Sequence, residues 1–204
     1  THKKQSGGHG QFGDVQVEIS PKPRGKGFEF SNRVVGGTVP KQYIPSVETG
    51  VRNYLKQGPL GFPVVDISVC LFDGQYHAVD SSDMAFQMAA QAAMREGLPK
   101  CRPILLEPIC KVEIDTPSDL TSKVNQIVSG RRGQLLGFEP KENWNSWDMV
   151  NAYLPQAEIS DLIIELRSLT QGIGSFRYIF DHFQELSGRE AEIIISKRQK
   201  DLSS

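Results

Sequence analysis

The second half of the chain alternates strand and helix patterns in an order that restricts its fold. Apolar residues at every second position predict strands near 110–114, 133–139, 146–154 and 175–183. Helical spacing predicts one helix opened by Thr116 and Pro117, as N-cap and first residue, and another around 159–166. The order β-α-β-β-α-β is that of a split βαβ, or ferredoxin-like, domain. We therefore expect such a domain over residues 106–183 and a polar tail over 184–204.

The first half mixes the same two periods, and we expect it to form a separate unit over residues 1–105 of an α+β protein. Val65, Ile67, Val69 and Leu71 lie on one face of its clearest strand. Two further strands are predicted near 15–19 and 28–35, and a helix around 47–55. The run Asp80-Ser81-Ser82-Asp83 supplies N-cap and first-turn residues for a second helix.

Composition excludes several classes of protein. The chain has 204 residues, 38% hydrophobic and 23% charged, as in ordinary soluble domains. Its apolar runs fall far short of the ~20 residues of a membrane-spanning helix. Three widely spaced cysteines support neither a disulfide framework nor a zinc site, so we expect reduced thiols in a cytoplasmic protein without membrane contact. A slight basic excess in the first half permits an RNA contact.

A glycine-rich segment near the N-terminus has two interpretations. Gly8, Gly10 and Gly13 match the G-x-G-x-x-G pattern of nucleotide-binding loops. Such a loop should open a helix, whereas the residues after Gly13 alternate as in a strand. The glycines also let the backbone approach another surface closely and display side chains such as His9. A structural turn at a hairpin end explains the same residues.

Two further segments carry side chains suited to RNA. Tyr76 and His77 lie in a predicted loop, where an aromatic ring can stack on a base and an imidazole can bind a phosphate or ribose. A packed or capping histidine is the alternative. Arg131 and Arg132 follow a predicted helix end and either bind phosphate or lie solvated in a turn. No catalytic set accompanies His77, and no metal site is predicted.

Several longer motifs run through the chain in a fixed order. They are Gln5-Ser6-Gly7-Gly8-His9-Gly10-Gln11-Phe12-Gly13, Gly36-Gly37-Thr38-Val39-Pro40, Tyr76-His77-Ala78-Val79-Asp80-Ser81-Ser82, Leu105-Leu106-Glu107-Pro108-Ile109 and Leu166-Arg167-Ser168-Leu169-Thr170-Gln171-Gly172. Together they resemble the fourth and fifth domains of elongation factor G, and the resemblance covers nearly the whole chain.

The resemblance implies a fourth domain with the fold of the second domain of ribosomal protein S5, lacking its first strand, and a ferredoxin-like fifth domain. It also implies that two loops, 6–13 and 75–79, enter the decoding centre of the small ribosomal subunit and promote movement of tRNA and mRNA. The fifth domain would contact the factor-binding site of the large subunit. The parent would be a monomeric GTPase that binds GTP and Mg in a domain outside this sequence, so this fragment would itself be no enzyme and hold no cofactor.

The motifs and the resemblance mark a set of expected RNA or ribosome contacts. These are Lys3, Lys4, Ser6, Gly7, Gly8, His9, Gly10, Gln11, Phe12, Gly13, Gln75, Tyr76, His77, Arg131 and Arg132. The two lysines would add positive charge behind the loops.

Two positions depart from the pattern of the family. His9 stands where bacterial members usually have arginine, and Ile173 replaces a second arginine between two glycines. These departures suggest a divergent or paralogous form, so a ribosome recycling or rescue factor with the same domains is an alternative to a translocase. A small-molecule kinase is a further alternative because the S5-like fold also occurs in such enzymes, and a free-standing protein-interaction module is another.

Overall fold

The computed structural model describes residues 1–5 and 10–203. The chain divides into two compact units: unit 1 is Thr1–Leu105 with Ser187–Ser204, and unit 2 is Leu106–Leu186. Each unit encloses its own hydrophobic core. Within the described ranges, no helix has the length and apolar character needed to cross a membrane.

The described residues of unit 1 form a four-stranded sheet and three α-helices. The elements are β1 (His2–Lys4), β2 (Gln11–Pro21), β3 (Phe28–Asn32), α1 (Ile44–Leu55), β4 (Ile67–Gln75), α2 (Asp83–Gly97) and the C-terminal α5 (Gly188–Ser203). The strand order is β1-β2-β4-β3. β2 pairs antiparallel with β1 and β4, whereas β3 runs parallel to β4 and is joined to it through α1.

The core of unit 1 follows from the alternation in β4 and the small residues of α2. Val69 and Leu71 are completely buried, as the face of the predicted strand requires. Phe86, Ala89 and Ala90 of α2 pack into the same core. Short side chains let the helix lie close to the sheet, so the predicted helix and the strand face at Val69 and Leu71 are confirmed. The prediction was wrong for Val65, which precedes β4 and is 45% exposed, because the left-handed backbone of Asp66 interrupts the extended conformation.

Unit 2 has the predicted β-α-β-β-α-β order. Its elements are β5 (Leu105–Pro117), α3 (Thr121–Gly130), β6 (Gln134–Pro140), β7 (Trp147–Pro155), α4 (Leu162–Leu169) and β8 (Ser175–Leu186). The strand order β6-β7-β5-β8 places the first strand of the unit between the third and the fourth. This is the ferredoxin-like arrangement. Apolar residues of β5, β7, α3 and α4 form its core.

The start of α3 differs from the prediction. Thr116 and Pro117 belong to β5, and Thr116 is completely buried instead of capping a helix. The hydroxyls of Ser118 and Thr121 donate to the carboxylate of Asp148, at 2.9 and 2.6 Å, and hold the turn before the helix. The prediction was wrong because Asp148 comes from a strand that is distant in sequence.

The C-terminal segment also differs from the expected polar tail. β8 continues to Leu186 instead of ending at residue 183, and α5 occupies most of the remaining chain. Arg198 of α5 donates from Nε to the carbonyl oxygen of Gly61 at 2.9 Å, and its guanidinium lies over the ring of Phe62. These contacts attach α5 to unit 1.

Candidate nucleic-acid interface

The described residues of the two predicted loops meet at one end of unit 1, because β2 begins where its antiparallel neighbour β4 ends. The predicted loop bounds were too wide: residues 11–13 belong to β2 and Gln75 belongs to β4. The Phe12 N–H donates to the carbonyl oxygen of Asp80 at 2.9 Å. The Ser81 hydroxyl donates to the carbonyl oxygen of Phe12 at 2.8 Å. We call residues 10–13 and 75–82 together the tip.

His77 organises the second loop of the tip. Its backbone N–H donates to the Ser81 hydroxyl at 2.8 Å. Its Nδ1 accepts the N–H groups of Val79 and Asp80 at 3.4 and 3.3 Å. A neutral ring whose Nδ1 is an acceptor carries its proton on Nε2. The same Nδ1 lies 3.3 Å from Oδ2 of Asp80, and the side chain is 58% exposed, so His77 presents an accessible and oriented ring.

Two glycines let the loops and α2 come together. A Cβ on Gly10 would lie 2.7 Å from Cγ of Asp80, and one on Gly13 would lie 2.9 Å from the carbonyl oxygen of Ala85. Both distances are shorter than side chains tolerate. At these positions the backbone approaches other parts of unit 1 closely, and its approach to another surface stays a prediction.

The other expected contacts in unit 1 surround His77. The Tyr76 side chain is 50% exposed. Lys3 and Lys4 are exposed on β1, opposite Phe12 and Gln11 respectively. Gln75 is exposed at the end of β4. The remaining predicted contacts of the first loop lie outside the described residues; they are Ser6, Gly7, Gly8 and His9.

Two helices begin beside the tip. The Ser82 hydroxyl accepts an N–H from the first turn of α2, so the predicted N-cap is confirmed. Tyr43, which immediately precedes α1, donates its hydroxyl to the carbonyl oxygen of Ser81 at 3.3 Å. Ser46 in the first turn of α1 donates to Asp83 of α2 at 2.7 Å. Helix N-termini carry partial positive charge, so both helices favour anions at this end.

The sequence did not predict that Asp80 and Ser81, next to the N-cap Ser82, hold the two loops of the tip together. Asp80 and Ser81 were interpreted only as helix-capping candidates, yet their backbone and side-chain groups join the two loops. The available signal was four consecutive residues with short hydrogen-bonding side chains, Asp80-Ser81-Ser82-Asp83, shortly after His77.

Arg131 is engaged within unit 2. Its guanidinium donates to the carboxylates of Glu165 and Asp161 and to the carbonyl oxygen of Glu158, at 2.6–3.0 Å. Burial opposes the charge on Arg131, but the hydrogen bonds to Asp161 and Glu165 outweigh this effect and raise the pKa of the guanidinium. Its side chain is only 13% exposed.

Arg132 is also held by acidic residues. Its guanidinium makes two hydrogen bonds to Glu107, at 2.8 and 3.1 Å, and one to Glu158, at 3.3 Å. The structure thus places both arginines in unit 2, in ion pairs that use much of their hydrogen-bonding capacity. Their contact with RNA stays a prediction.

An open groove of about 750 Å³ lies between α3 and α4 and is lined by charges of both signs, among them Lys123, Arg131 and Glu165. Nowhere in residues 1–5 and 10–203 do three or more His, Cys, Asp or Glu side chains form a group that could hold a metal ion. The tip, by contrast, exposes the side chains of Tyr76 and His77.

Comparison with known proteins agrees with this architecture. The family models "Elongation factor G, domain IV" and "Elongation factor G C-terminus" match residues 1–102 and 104–194. An elongation factor G-like protein of Synechocystis sp. is 60% identical over 190 residues, which cover 93% of this chain and 28% of that protein. A crystal structure of a Thermus thermophilus protein superimposes with a TM-score of 0.87 at 36% identity, covering 98% of this chain and 29% of the other.

This chain thus spans less than a third of the length of both relatives. The predicted fold, an S5-like domain followed by a ferredoxin-like domain, is confirmed. Because the two family models together match nearly every residue, the chain belongs to the elongation factor G family of translation factors.

Proposed function

We propose that this chain is the ribosome-contacting C-terminal part of a translational GTPase, and that its tip promotes movement of tRNA and mRNA in the small-subunit decoding centre. The observation that carries the proposal is the exposed His77 ring, oriented by the N–H groups of Val79 and Asp80. A side chain that is oriented before binding loses less conformational entropy on contact.

The chemistry of the tip suits RNA. The Nε2–H of a neutral His77 matches a phosphate oxygen or a ribose 2′-hydroxyl, and the exposed Tyr76 ring can stack on an unpaired base. The N-termini of α1 and α2 and the side chains of Lys3 and Lys4 favour the approach of phosphates. These features support binding and positioning, with no covalent step carried out by this chain.

The rest of the proposal concerns the parent protein. GTP and Mg²⁺ would bind a domain outside this sequence, and the energy of hydrolysis would be used to move the tip. Unit 2 would contact the factor-binding site of the large subunit. The parent would act in the cytoplasm as a monomer, with the ribosome, tRNA and mRNA as partners. The relatives, which are more than three times as long as the matched segment, support further domains in such proteins.

The variant His77→Ala in the full-length protein tests the proposal. We expect single-round translocation to slow by about tenfold or more, as for a central contact residue, while ribosome-stimulated GTP hydrolysis stays nearly unchanged. His182→Ala, at an exposed histidine of unit 2, is the matched control. Unchanged translocation in His77→Ala would contradict the proposal, and equal loss of both activities would indicate a folding defect.

The variant His77→Asn separates contact from loop structure. The Asn side chain keeps an acceptor near the position of Nδ1 but removes the distal atoms of the ring. If the ring contacts RNA, His77→Asn translocates as slowly as His77→Ala. If His77 serves only to hold Val79 and Asp80, His77→Asn recovers most of the rate.

A recycling or rescue factor is the second candidate. The Synechocystis relative is described as elongation factor G-like, and Ile173, where the resemblance implies an arginine, is 58% exposed. Subunit splitting and translocation measured on one preparation of the full-length protein separate the two functions. The kinase alternative loses support because the glycine-rich segment leads into strand β2 instead of a helix.

A further inference from the structure

Both tryptophans of the chain lie at the hairpin that joins β6 to β7. Trp147 is the first residue of β7 and is half-buried, whereas Trp144 in the connecting loop is 49% exposed. An exposed indole does not contribute the large free energy that its burial would give, and tryptophans are enriched at binding surfaces.

The exposed indole is held in place by its own hairpin. Nζ of Lys141 lies 3.8 Å from the centre of the Trp144 ring. The Trp147 ring meets it nearly at a right angle, with ring centres 5.0 Å apart. The backbone N–H of Trp144 also donates to the carbonyl oxygen of Lys141 at 3.1 Å. The ring is thus oriented before any partner arrives, which lowers the entropy cost of binding.

The lysine beside the indole is already neutralised. Lys141 donates to Oδ2 of Asp115 at 2.6 Å, and Asp115 is only 7% exposed. Oδ1 of Asp115 is buried and has no hydrogen-bond partner among the described residues. Lys141 therefore offsets a buried carboxylate and adds little positive charge to the surface.

The surroundings of the indole are acidic. Glu139 and Glu142 are exposed on either side of Lys141, which is the only lysine or arginine between residues 139 and 148. In the sheet, Glu139 is opposite Met149, which is in turn opposite Asp115, so these three share one face. The one guanidinium that the described residues bring to this face, that of Arg177, lies 3.7 Å from Sδ of Met149 and is paired with Glu113. We call Trp144, Glu139 and Glu142 the indole patch.

We propose that the indole patch binds an arginine- or lysine-bearing segment of a protein partner. A partner's ammonium or guanidinium group would lie against the part of the indole that Lys141 leaves exposed, and the exposed carboxylates of Glu139 and Glu142 on the same hairpin would attract it. The phosphates of RNA would meet the same carboxylates as like charges. The proposal is independent of the function proposed for the tip, because it concerns a different unit and a different class of partner.

Tryptophan fluorescence tests the proposal directly, because both tryptophans lie at this hairpin. The whole chain is titrated with a short peptide of alternating arginine and glycine, with the matching glutamate–glycine peptide, and with oligouridylate. We expect a saturable change only with the arginine peptide, and we expect its affinity to fall with rising salt. The variant Trp147→Phe leaves Trp144 as the sole reporter and should respond in the same way.

Two variants establish the site. Trp144→Ala should lower the affinity for the arginine peptide by about tenfold, and Trp147 remains as the fluorescent reporter. The double variant Glu139→Gln, Glu142→Gln changes exposed side chains only, so we expect it to fold. It therefore tests the site even if Trp144→Ala does not fold. This double variant should lower the affinity for the arginine peptide severalfold. The control, Glu190→Gln with Glu192→Gln, removes the same number of charges from α5 and should leave the affinity unchanged. Unchanged affinity in the Glu139 and Glu142 variant, or a saturable response to oligouridylate instead of the peptide, overturns the proposal.

Discussion

The Ser81 hydroxyl donates a hydrogen bond to the carbonyl oxygen of Phe12, 69 positions earlier in the chain, at 2.8 Å. The same hydroxyl accepts the backbone N–H of His77 at 2.8 Å. One side chain thus connects the two loops of the tip and supports the residue that we propose contacts RNA.

Replacing Ser81 with alanine should loosen this connection. We expect the free energy of unfolding to fall by about 1–2 kcal/mol, because the variant leaves the Phe12 carbonyl and the His77 N–H without their partner. Amide hydrogen exchange at His77 should accelerate as well. Urea unfolding followed by circular dichroism and exchange followed by NMR measure the two effects.

Ser129→Ala is the control for this prediction. The Ser129 hydroxyl is exposed and donates to Asn125 within the same helix. Its removal should change stability by no more than about 0.5 kcal/mol. Unchanged exchange at His77 in Ser81→Ala would show that the loop does not depend on the Ser81 hydroxyl.

A glycine controls the contact between α1 and α2. A Cβ on Gly50 would lie 2.4 Å from the carbonyl oxygen of Gln87 and 2.8 Å from the Cβ of Ala90. We therefore expect Gly50→Ala to destabilise unit 1 by about 1–3 kcal/mol through overpacking, measured by thermal or urea unfolding.

Gly130→Ala is the matched control, because a Cβ at this position in α3 meets nothing within 4 Å. It should stabilise the chain by up to about 1 kcal/mol, since alanine restricts the unfolded chain more than glycine does. Equal effects of the two substitutions would show that helix propensity outweighs the close approach of α1 and α2.

Local patterns predicted the parts of the fold that depend on local forces. The order of elements in unit 2 follows from hydrophobic periodicity, and the cap at Ser82 follows from residues within one helical turn. His77 and Tyr76 were identifiable because a polar or aromatic side chain in a loop between well-defined elements has no place in the core.

Long-range pairing explains what the sequence did not predict. The partners of Arg131 on α4 lie up to 34 residues away, so its ion pairs were not visible in the local Gly-Arg-Arg-Gly motif. Likewise, α5 has one buried residue, Ala191, and its weak periodicity resembled a polar tail. Its attachment depends on Arg198 reaching Gly61, 137 positions earlier.

The ion pairs of Arg131 make a prediction that separates a structural role from RNA binding. Arg131→Met should lower the free energy of unfolding of unit 2 by about 1–2 kcal/mol at neutral pH, because the residue that follows α3 loses its hydrogen bonds to Asp161, Glu165 and the backbone of Glu158. Fluorescence of Trp144 and Trp147, both in unit 2, follows the transition. Lys123→Met, a charge removed elsewhere in the same groove, should have little effect.

The stabilisation by the Arg131–Asp161 ion pair should depend on pH. The hydrogen bond from Arg131, together with its Coulombic attraction, lowers the pKa of Asp161 in the folded state. The folded chain then binds fewer protons than the unfolded chain, so the stabilisation is present above the ordinary carboxyl pKa of about 4 and is lost as the pH falls through the lowered value. The stability difference between the natural chain and Arg131→Met should therefore be constant near neutrality and shrink in acid. A stability difference that persists in strong acid would contradict the ion-pair explanation. If Arg131→Met instead left the stability unchanged and reduced the salt dependence of ribosome binding, Arg131 would be assigned to phosphate contact.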